Sequence, residues 1–325
     1  EKYAPFAGVS MTSLLENNQH LDNITVYVMG EGLSCQCILK FKELFYKYRR
    51  RIEFLDTENL VRNMQKINIP SYRGSYAANM RLFVADIIPD EVDRLLYLDS
   101  DTVIVGKLDP LIDLDMKNYP IAMVLDSLGF AHKKELGISG GYYNSGTILF
   151  QMRLWKRGQY TKRIIHHIES VRSHYPMPDQ DLLNVVCQGE IMTLEPQFNL
   201  QPIHVGFSWK LYCLVYGRNK YYSQEDVQNA VENPVIYHFF RFCGEFPWNE
   251  DTVHPDVWVF DHYLHISPWK DYKKERAQLS ISFSVEKWMY KYMPSGIFMV
   301  LFEIAHRWMV HKANRASLNL SLIHI

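Results

Sequence analysis

Residues 94–106, RLLYLDSDTVIVG, constrain this chain more than any other stretch. An apolar run (Leu95, Leu96, Tyr97, Leu98) ends in Asp99-Ser100-Asp101, and residues 102–105 resume a β-branched, strand-like pattern. In extended backbone, residues two apart point to the same side. Asp99 and Asp101 therefore aim at one point, at the C-terminal end of what reads as a buried parallel strand. Convergent carboxylates there are costly unless a cation or protons hold them, and open α/β sheets bind their ligands at that edge. The pair predicts a divalent-metal site that holds a phosphate-bearing substrate; a plain Asx-capped turn is the alternative.

At 325 residues the chain suits one large domain, or one with an appendage. Its net charge of −1 argues against nucleic acid as the main partner, because phosphate-backbone binding needs a positive excess. The five cysteines are scattered, and Cys35-Gln36-Cys37 is too closely spaced for an ordinary disulfide or zinc knuckle. Reduced thiols in a cytoplasmic protein are the expectation. No apolar run approaches the ~20 residues of a membrane-spanning helix. The sequence opens on a helix-like segment where an α/β domain would begin with a strand, so a first strand is expected to be missing. The unpatterned tail, 318–325, reads as a non-native scar.

Periodicity predicts a helix over 6–17, a strand over 24–29, a helix over 38–50 and a strand over 51–55. Ser75 caps a helix running through Ala85 and stopped by Pro89. The Asp99 strand and a third, over 121–125, follow. This alternation predicts an α/β fold with a doubly wound, mostly parallel sheet flanked by helices. Further on, 143–150 and 235–239 read as strands, and 160–171, 179–187 and 254–265 as helices, the last begun by His-Pro.

After Trp269 the character changes. Residues 284–315 carry Trp288, Tyr292, Phe298, Phe302 and Trp308 among Lys287, Lys291, Arg307, Lys312 and Arg315. A main domain over 1–270 and a basic, aromatic helical appendage over 271–325 are the expected division. Such an appendage lies flat on an anionic membrane, which makes the protein peripheral on the inner face of the plasma membrane. A helix packing its apolar face on the domain core is the alternative.

Other polar stretches should converge on the Asp99 edge. Arg81 precedes the strand, Asn144-Ser145-Gly146 opens another after a Gly-rich turn, and Asp179-Gln180-Asp181 starts a helix. Tyr237-His238 ends a short strand, followed by Gly244 and Pro247-Trp248. Read as chemistry, these supply carboxylates and an imidazole for a metal, a guanidinium for phosphate or carboxylate, and amides for hydroxyl groups. Each has a plainer reading. His238 could be a core histidine, Arg81 a structural ion pair with Asp86 or Asp90, and Asp181 a helix-start residue. Asn144 could serve its own turn, and Trp248 could be pocket wall.

In this order, Y-L-D-S-D, Y-Y-N-S-G, D-Q-D-L-L-N and H-x(5)-G-x-x-P-W resemble glycosyltransferase family 8, as does the opening Y-A-x-x-x-G-V-S-x-x-S-L-L-E-N. The resemblance implies a GT-A-type fold and a metal-dependent, retaining transfer of glucose or galactose from a UDP-hexose to a glycan, glycolipid or glycoprotein. It implies Mn²⁺, with Mg²⁺ as the other candidate, held by Asp99, Asp101 and His238. Donor contacts would come from Tyr3 (stacked on uracil), Arg81, Asp99, Ser100, Asp101, Asn144, Ser145, Asp179, Gln180 and Gly244. Arg81, Asp179 and Gln180 would form the catalytic set.

Two departures stand out. Phe246 occupies the position before Pro-Trp where the family usually has Lys, and Arg241 is the nearby substitute cation. The loop after His238 is longer than usual. No carboxylate is an obvious nucleophile, so front-face transfer is the expected route. A glycan-binding scaffold on the same fold and a sugar-nucleotidyltransferase are the competing readings.

Overall fold

The computed structural model describes residues 2–69, 71, 75–171, 175, 177–217 and 221–322, with side chains as far as 313 except that of residue 171. Its strands are β1 (Thr25–Val28), β2 (Arg51–Phe54), β3 (Arg94–Leu98), β4 (Thr102–Ile104), β5 (Ile121–Leu125), β6 (Tyr143–Gln151), β7 (Ile191–Thr193) and β8 (Ile236–His238). β1 and β2 form a parallel pair; β3-β6-β5-β7 form a four-stranded sheet; β4 pairs with β8. Helices flank these sheets, so the α/β class read from the sequence holds.

The pairing is mixed where a mostly parallel sheet was expected. β1–β2 and β5–β7 are parallel, whereas β3–β6, β5–β6 and β4–β8 are antiparallel. β6 is buried along nearly its whole length. A strand covered on both faces shows the same apolar run whichever way it points. Direction was not encoded in the pattern.

The Asp99-Ser100-Asp101 turn splits what reads as one strand into two sheets. Thr102 donates to the Asp99 carbonyl from its backbone N (3.1 Å) and from Oγ1 (2.8 Å). The turned chain then leaves β3 and pairs with β8, setting Thr102 opposite His238. That register carries the distant histidine to the aspartates.

Most predicted elements appear with shifted ends. The segment after Ser75 winds as a 3-10 helix (Ala77–Phe83) before a short α-helical stretch, with Ser75 Oγ accepting from Ala77 N at 3.1 Å. The His-Pro helix begins only at Val257, because Asp256 is left-handed (φ 53°) and His254 bonds the Phe240 and Pro255 carbonyls instead.

The C-terminal segment forms two helices, Ile281–Tyr292 and Ser295–Leu322. Phe298 and Met299 are fully buried against Ile203, Phe207, Tyr212 and Phe242. Lys287 Nζ reaches the buried Glu245 at 2.7 Å. The other side leaves Trp288 and Trp308 58% and 62% exposed. One face thus packs on the core, as the alternative reading expected, and apolar side chains stay exposed on the other. The side chain of Arg315 and residues 323–325 of the tail lie outside the described residues. Among those described, no helix is long and apolar enough to cross a membrane.

Helix Ala4–Asn17 packs Gly8 against Trp269, leaving no room for a side chain: an added Cβ would lie 2.2 Å from Trp269 Cε3. Gly8→Ala would gain about 1 kcal/mol of helix propensity, but overpacking a buried ring costs about 1–3 kcal/mol and the contact is far inside van der Waals distance. The clash wins. Thermal denaturation should show a melting temperature lower by ~2–6 °C.

Candidate functional site

Asp99, Asp101 and His238 meet. One ligand atom from each lies within 4.8 Å of the others, with His238 Nε2 3.3 Å from Asp101 Oδ1 and 3.9 Å from Asp99 Oδ2. Gly146 makes this possible, since a Cβ there would sit 2.1 Å from His238 Cε1. The glycine of the N-S-G motif is therefore a steric vacancy for the imidazole.

A chain of amides sets the direction of the His238 lone pair. The Asp126 carboxylate accepts from Asn144 Nδ2 (2.9 Å) and Gln180 Nε2 (3.1 Å). Asn144 Oδ1 must then be an acceptor, and it receives Gly146 N (3.0 Å) and Asn199 Nδ2 (2.9 Å). Asn199 Oδ1 in turn accepts from His238 Nδ1 at 3.0 Å. Only one tautomer fits this network: the proton is on Nδ1, and Nε2 turns its lone pair toward Asp101.

A lone pair facing two carboxylates is repulsive unless a cation or proton intervenes. Burial works against the Asp101 carboxylate, yet His238 holds it below the usual carboxylate range. Burial likewise opposes the His238 imidazolium, and Asp101 more than offsets this. Two hard oxygen ligands and one imidazole nitrogen fit Mn²⁺ or Mg²⁺ better than a thiophilic metal, and the neighbour that fixes Nδ1 is the usual support for a metal-bound imidazole.

Arg81 braces Asp99 from behind. Its Nη2 and Nη1 contact Asp99 Oδ1 (2.7 Å) and Oδ2 (3.2 Å). Its remaining donors go to Ser145 O (2.5 Å), Ser145 Oγ (3.0 Å) and Ala78 O (2.8 Å), with Asp179 Oδ2 3.2 Å from Nε. The guanidinium is 4% exposed. Neither Asp86 nor Asp90 is its partner; Asp90 pairs with Lys156 at 2.5 Å.

Asp179 and Gln180 both hold Ser145: Asp179 Oδ2 accepts from Ser145 Oγ (2.9 Å) and Gln180 Oε1 from Ser145 N (3.0 Å). Burial pushes the Asp179 carboxyl up, against the pull of Arg81. Asp181 is fully buried and ties its helix start through Met177 N (2.9 Å), also accepting from Tyr142 OH at 2.5 Å. Ser100 sits half-buried at the tip of the turn.

Three expected residues have packing partners of their own. Tyr3 leans edge-on against Phe6 and Trp248, its ring 46% exposed. Gly244 has φ 81°, and its Cβ position is filled by Phe283 and Leu279, so packing of the C-terminal segment calls for a glycine there. Arg241 lies over the Phe283 ring at 4.6 Å. Phe246 has its own place: it stacks on Trp248 (4.5 Å), which stacks on Phe6 (3.7 Å). Trp248 is therefore the middle of an aromatic column, the pocket-wall reading. Asp126 and Asn199 were missed. Asp126 follows β5 directly, the same strand-end signal that singled out Asp99; Asn199 lies in a 3-10 turn with no motif around it.

The glycosyl transferase family 8 model matches residues 1–252. The chain belongs to this family. It is 29% identical over 275 residues to general stress protein A of Bacillus subtilis, spanning 83% of this chain and 92% of that protein. Over 288 residues it is 26% identical to lipopolysaccharide 1,2-glucosyltransferase of Escherichia coli K12, covering 86% and 80% of the two chains. Among solved structures, the galactosyltransferase LgtC in complex with donor and acceptor sugar analogs superposes with a TM-score of 0.69 at 21% identity, over 82% of this chain and 93% of that one. That likeness shows a shared GT-A fold. Within a family 8 protein, the Asp-Asp-His cluster is the candidate metal centre.

Removing the amide that holds Nδ1–H should cost the site its tautomer. Asn199→Ala should weaken Mn²⁺ binding, read by titration calorimetry, about 10- to 100-fold.

Proposed function

We propose that this family 8 glycosyltransferase moves a hexose, glucose or galactose, from a UDP-sugar to a carbohydrate or glycoconjugate acceptor, with Mn²⁺ held by Asp99, Asp101 and His238 and with retention of configuration. One observation carries the reading: an oriented imidazole lone pair and two carboxylates face each other within 4.8 Å. The names of relatives point the same way, since they include a lipopolysaccharide 1,2-glucosyltransferase and a lipopolysaccharide 1,3-galactosyltransferase.

When bound, the cation supplies neutralisation of the charge that grows on the departing diphosphate. The chain's own residues do the positioning. Arg81 fixes Asp99 by a bidentate pair and acts through it. Asn144, Asp179 and Gln180 present hydrogen-bonding groups to the hydroxyls of the transferred sugar, and the exposed Tyr3 ring is available to stack on uracil. Transfer proceeds on the front face: the acceptor hydroxyl attacks the anomeric carbon as its bond to the diphosphate breaks, and the hydroxyl proton goes to the leaving phosphate oxygen. Orientation and charge stabilisation supply the rate.

Asp101→Asn should lower Mn²⁺-dependent UDP-hexose turnover on the order of 10²- to 10³-fold with an unchanged circular dichroism spectrum. Near-full turnover in this variant would remove the metal role. Turnover by neither form, with tight glycan binding retained, would favour the scaffold reading that Phe246 suggests.

The open face of the C-terminal helices supports peripheral attachment, from the cytoplasmic side, to an anionic membrane. Ile281, Trp288, Tyr292, Ile304 and Trp308 are exposed on it, and Lys312 lies 5.0 Å over the Trp308 ring. Because Phe298 and Met299 on the inner side are core residues, surface substitution tests this better than truncation. Trp288→Ser with Trp308→Ser should reduce sedimentation with phosphatidylglycerol vesicles about tenfold, with the melting temperature kept.

A further inference from the structure

Tyr142, the residue before β6, is held on every side. Its ring is 3% exposed. Gly129 leaves the space for it, since a Cβ there would lie 2.5 Å from Tyr142 Cδ1. His132, on the same helix Gly129–Glu135, stacks on the ring at 5.4 Å. The Tyr142 carbonyl accepts from Asp126 N at 2.9 Å, and its hydroxyl donates to Asp181 Oδ1 at 2.5 Å. Burial first, and then the Asp181 charge, push the phenol well above its ordinary range, so it keeps its proton.

Because that proton is committed to Asp181, the hydroxyl meets Gln180 only as an acceptor, and it receives Gln180 Nε2 at 3.2 Å. The second hydrogen of the same amide goes to Asp126 Oδ2 at 3.1 Å. Ser145 N occupies one lone pair of Gln180 Oε1 (3.0 Å), while the Ser145 hydroxyl, 3.4 Å from that oxygen, gives its proton to Asp179. Both donors of Gln180 are therefore used, and one lone pair of Oε1 is left. Toward a ligand the side chain is an acceptor only. Two carboxylates draw on its nitrogen end, Asp126 directly and Asp181 through the phenol, and hydrogen bonds in such a chain polarise one another. The oxygen end becomes the more negative.

We infer that Tyr142 is a positioning residue: its hydroxyl, held by Asp181, locks the Gln180 amide so that only the oxygen end is offered to the transferred sugar. The inference rests on the transferase reading above, which puts Gln180 at that sugar. Glycosyl transfer builds positive charge on the sugar ring as the bond to the diphosphate breaks. An oriented, electron-rich oxygen is worth more to that charged ring than to the neutral ground state. Without the phenol, one amide hydrogen is released and the side chain can present either end. Tyr142 therefore acts on the rate and little on donor affinity. A purely structural role, seating the start of helix Pro178–Val186 through Asp181, would make no reference to Gln180.

The test is hydrolysis of UDP-galactose and UDP-glucose by the full chain with Mn²⁺, water serving as the acceptor. Tyr142→Phe, which removes only the hydroxyl, should lower kcat about tenfold with the donor KM kept within about twofold. In a Gln180→Ala chain the same substitution should change kcat by less than about twofold, because the group it positions is gone. Asp181→Asn is the second variant. Met177 N still claims an oxygen there, as it does Oδ2 at 2.9 Å, so the new amide turns its nitrogen to Tyr142 and sends the phenol proton toward Gln180. Its kcat should fall about tenfold or more, and adding Tyr142→Phe should lower it no further. Equal losses from Tyr142→Phe with and without Gln180, a change in KM alone, or wild-type kcat in either single variant overturns the inference. A wild-type chain that binds UDP with Mn²⁺ yet hydrolyses neither sugar nucleotide contradicts the transferase reading itself, and this inference falls with it.

Discussion

An imidazole nitrogen with its lone pair aimed at two carboxylates is not a stable arrangement without positive charge between them. The rest of the site is arranged around that demand. The turn at Asp99-Ser100-Asp101 redirects the chain into β4, whose pairing with β8 delivers His238. Gly146 vacates the space the ring occupies. Asn199 fixes which nitrogen carries the proton, and Arg81 holds Asp99 with a buried bidentate pair. Exposed ion pairs contribute little to stability; this one is valuable for the position it imposes.

Legibility in the sequence followed how local the cause was. Asp99 and Asp101 were legible as a pair, although a turn over 99–101, and not extended backbone, brings them together, and β5 was read to the residue from its β-branched run. Ser223 shows a capping box with Asp226 and Ser208 caps Trp209–Tyr216, so both helices had a written start that periodicity alone overlooked. Other features depend on contacts no pattern records. Strand direction in β6 is silent because both faces are buried. Asn199 acts through the partners at its two ends, and the partners of Arg81, Asp99 and Asp179, arrive from other elements. Phe246 looked like a lost cation, whereas the column of Phe6, Trp248 and Phe246 gives it a packing role.

The C-terminal helices join these levels. Their inner side is core at Phe298 and Met299 and polar at Glu303 and His306, while their outer side is apolar and open. A single element therefore faces a candidate membrane surface on one side and the Asp126 side of the site on the other.

The most direct measurement of the central claim is an anomalous difference map at the manganese edge from crystals grown with UDP and MnCl₂. The account predicts one peak within bonding distance of the Asp99 and Asp101 carboxylates and His238 Nε2, with Asn199 still holding Nδ1. No peak there, or a peak bound elsewhere on the chain while these three side chains remain joined by a proton, would contradict it.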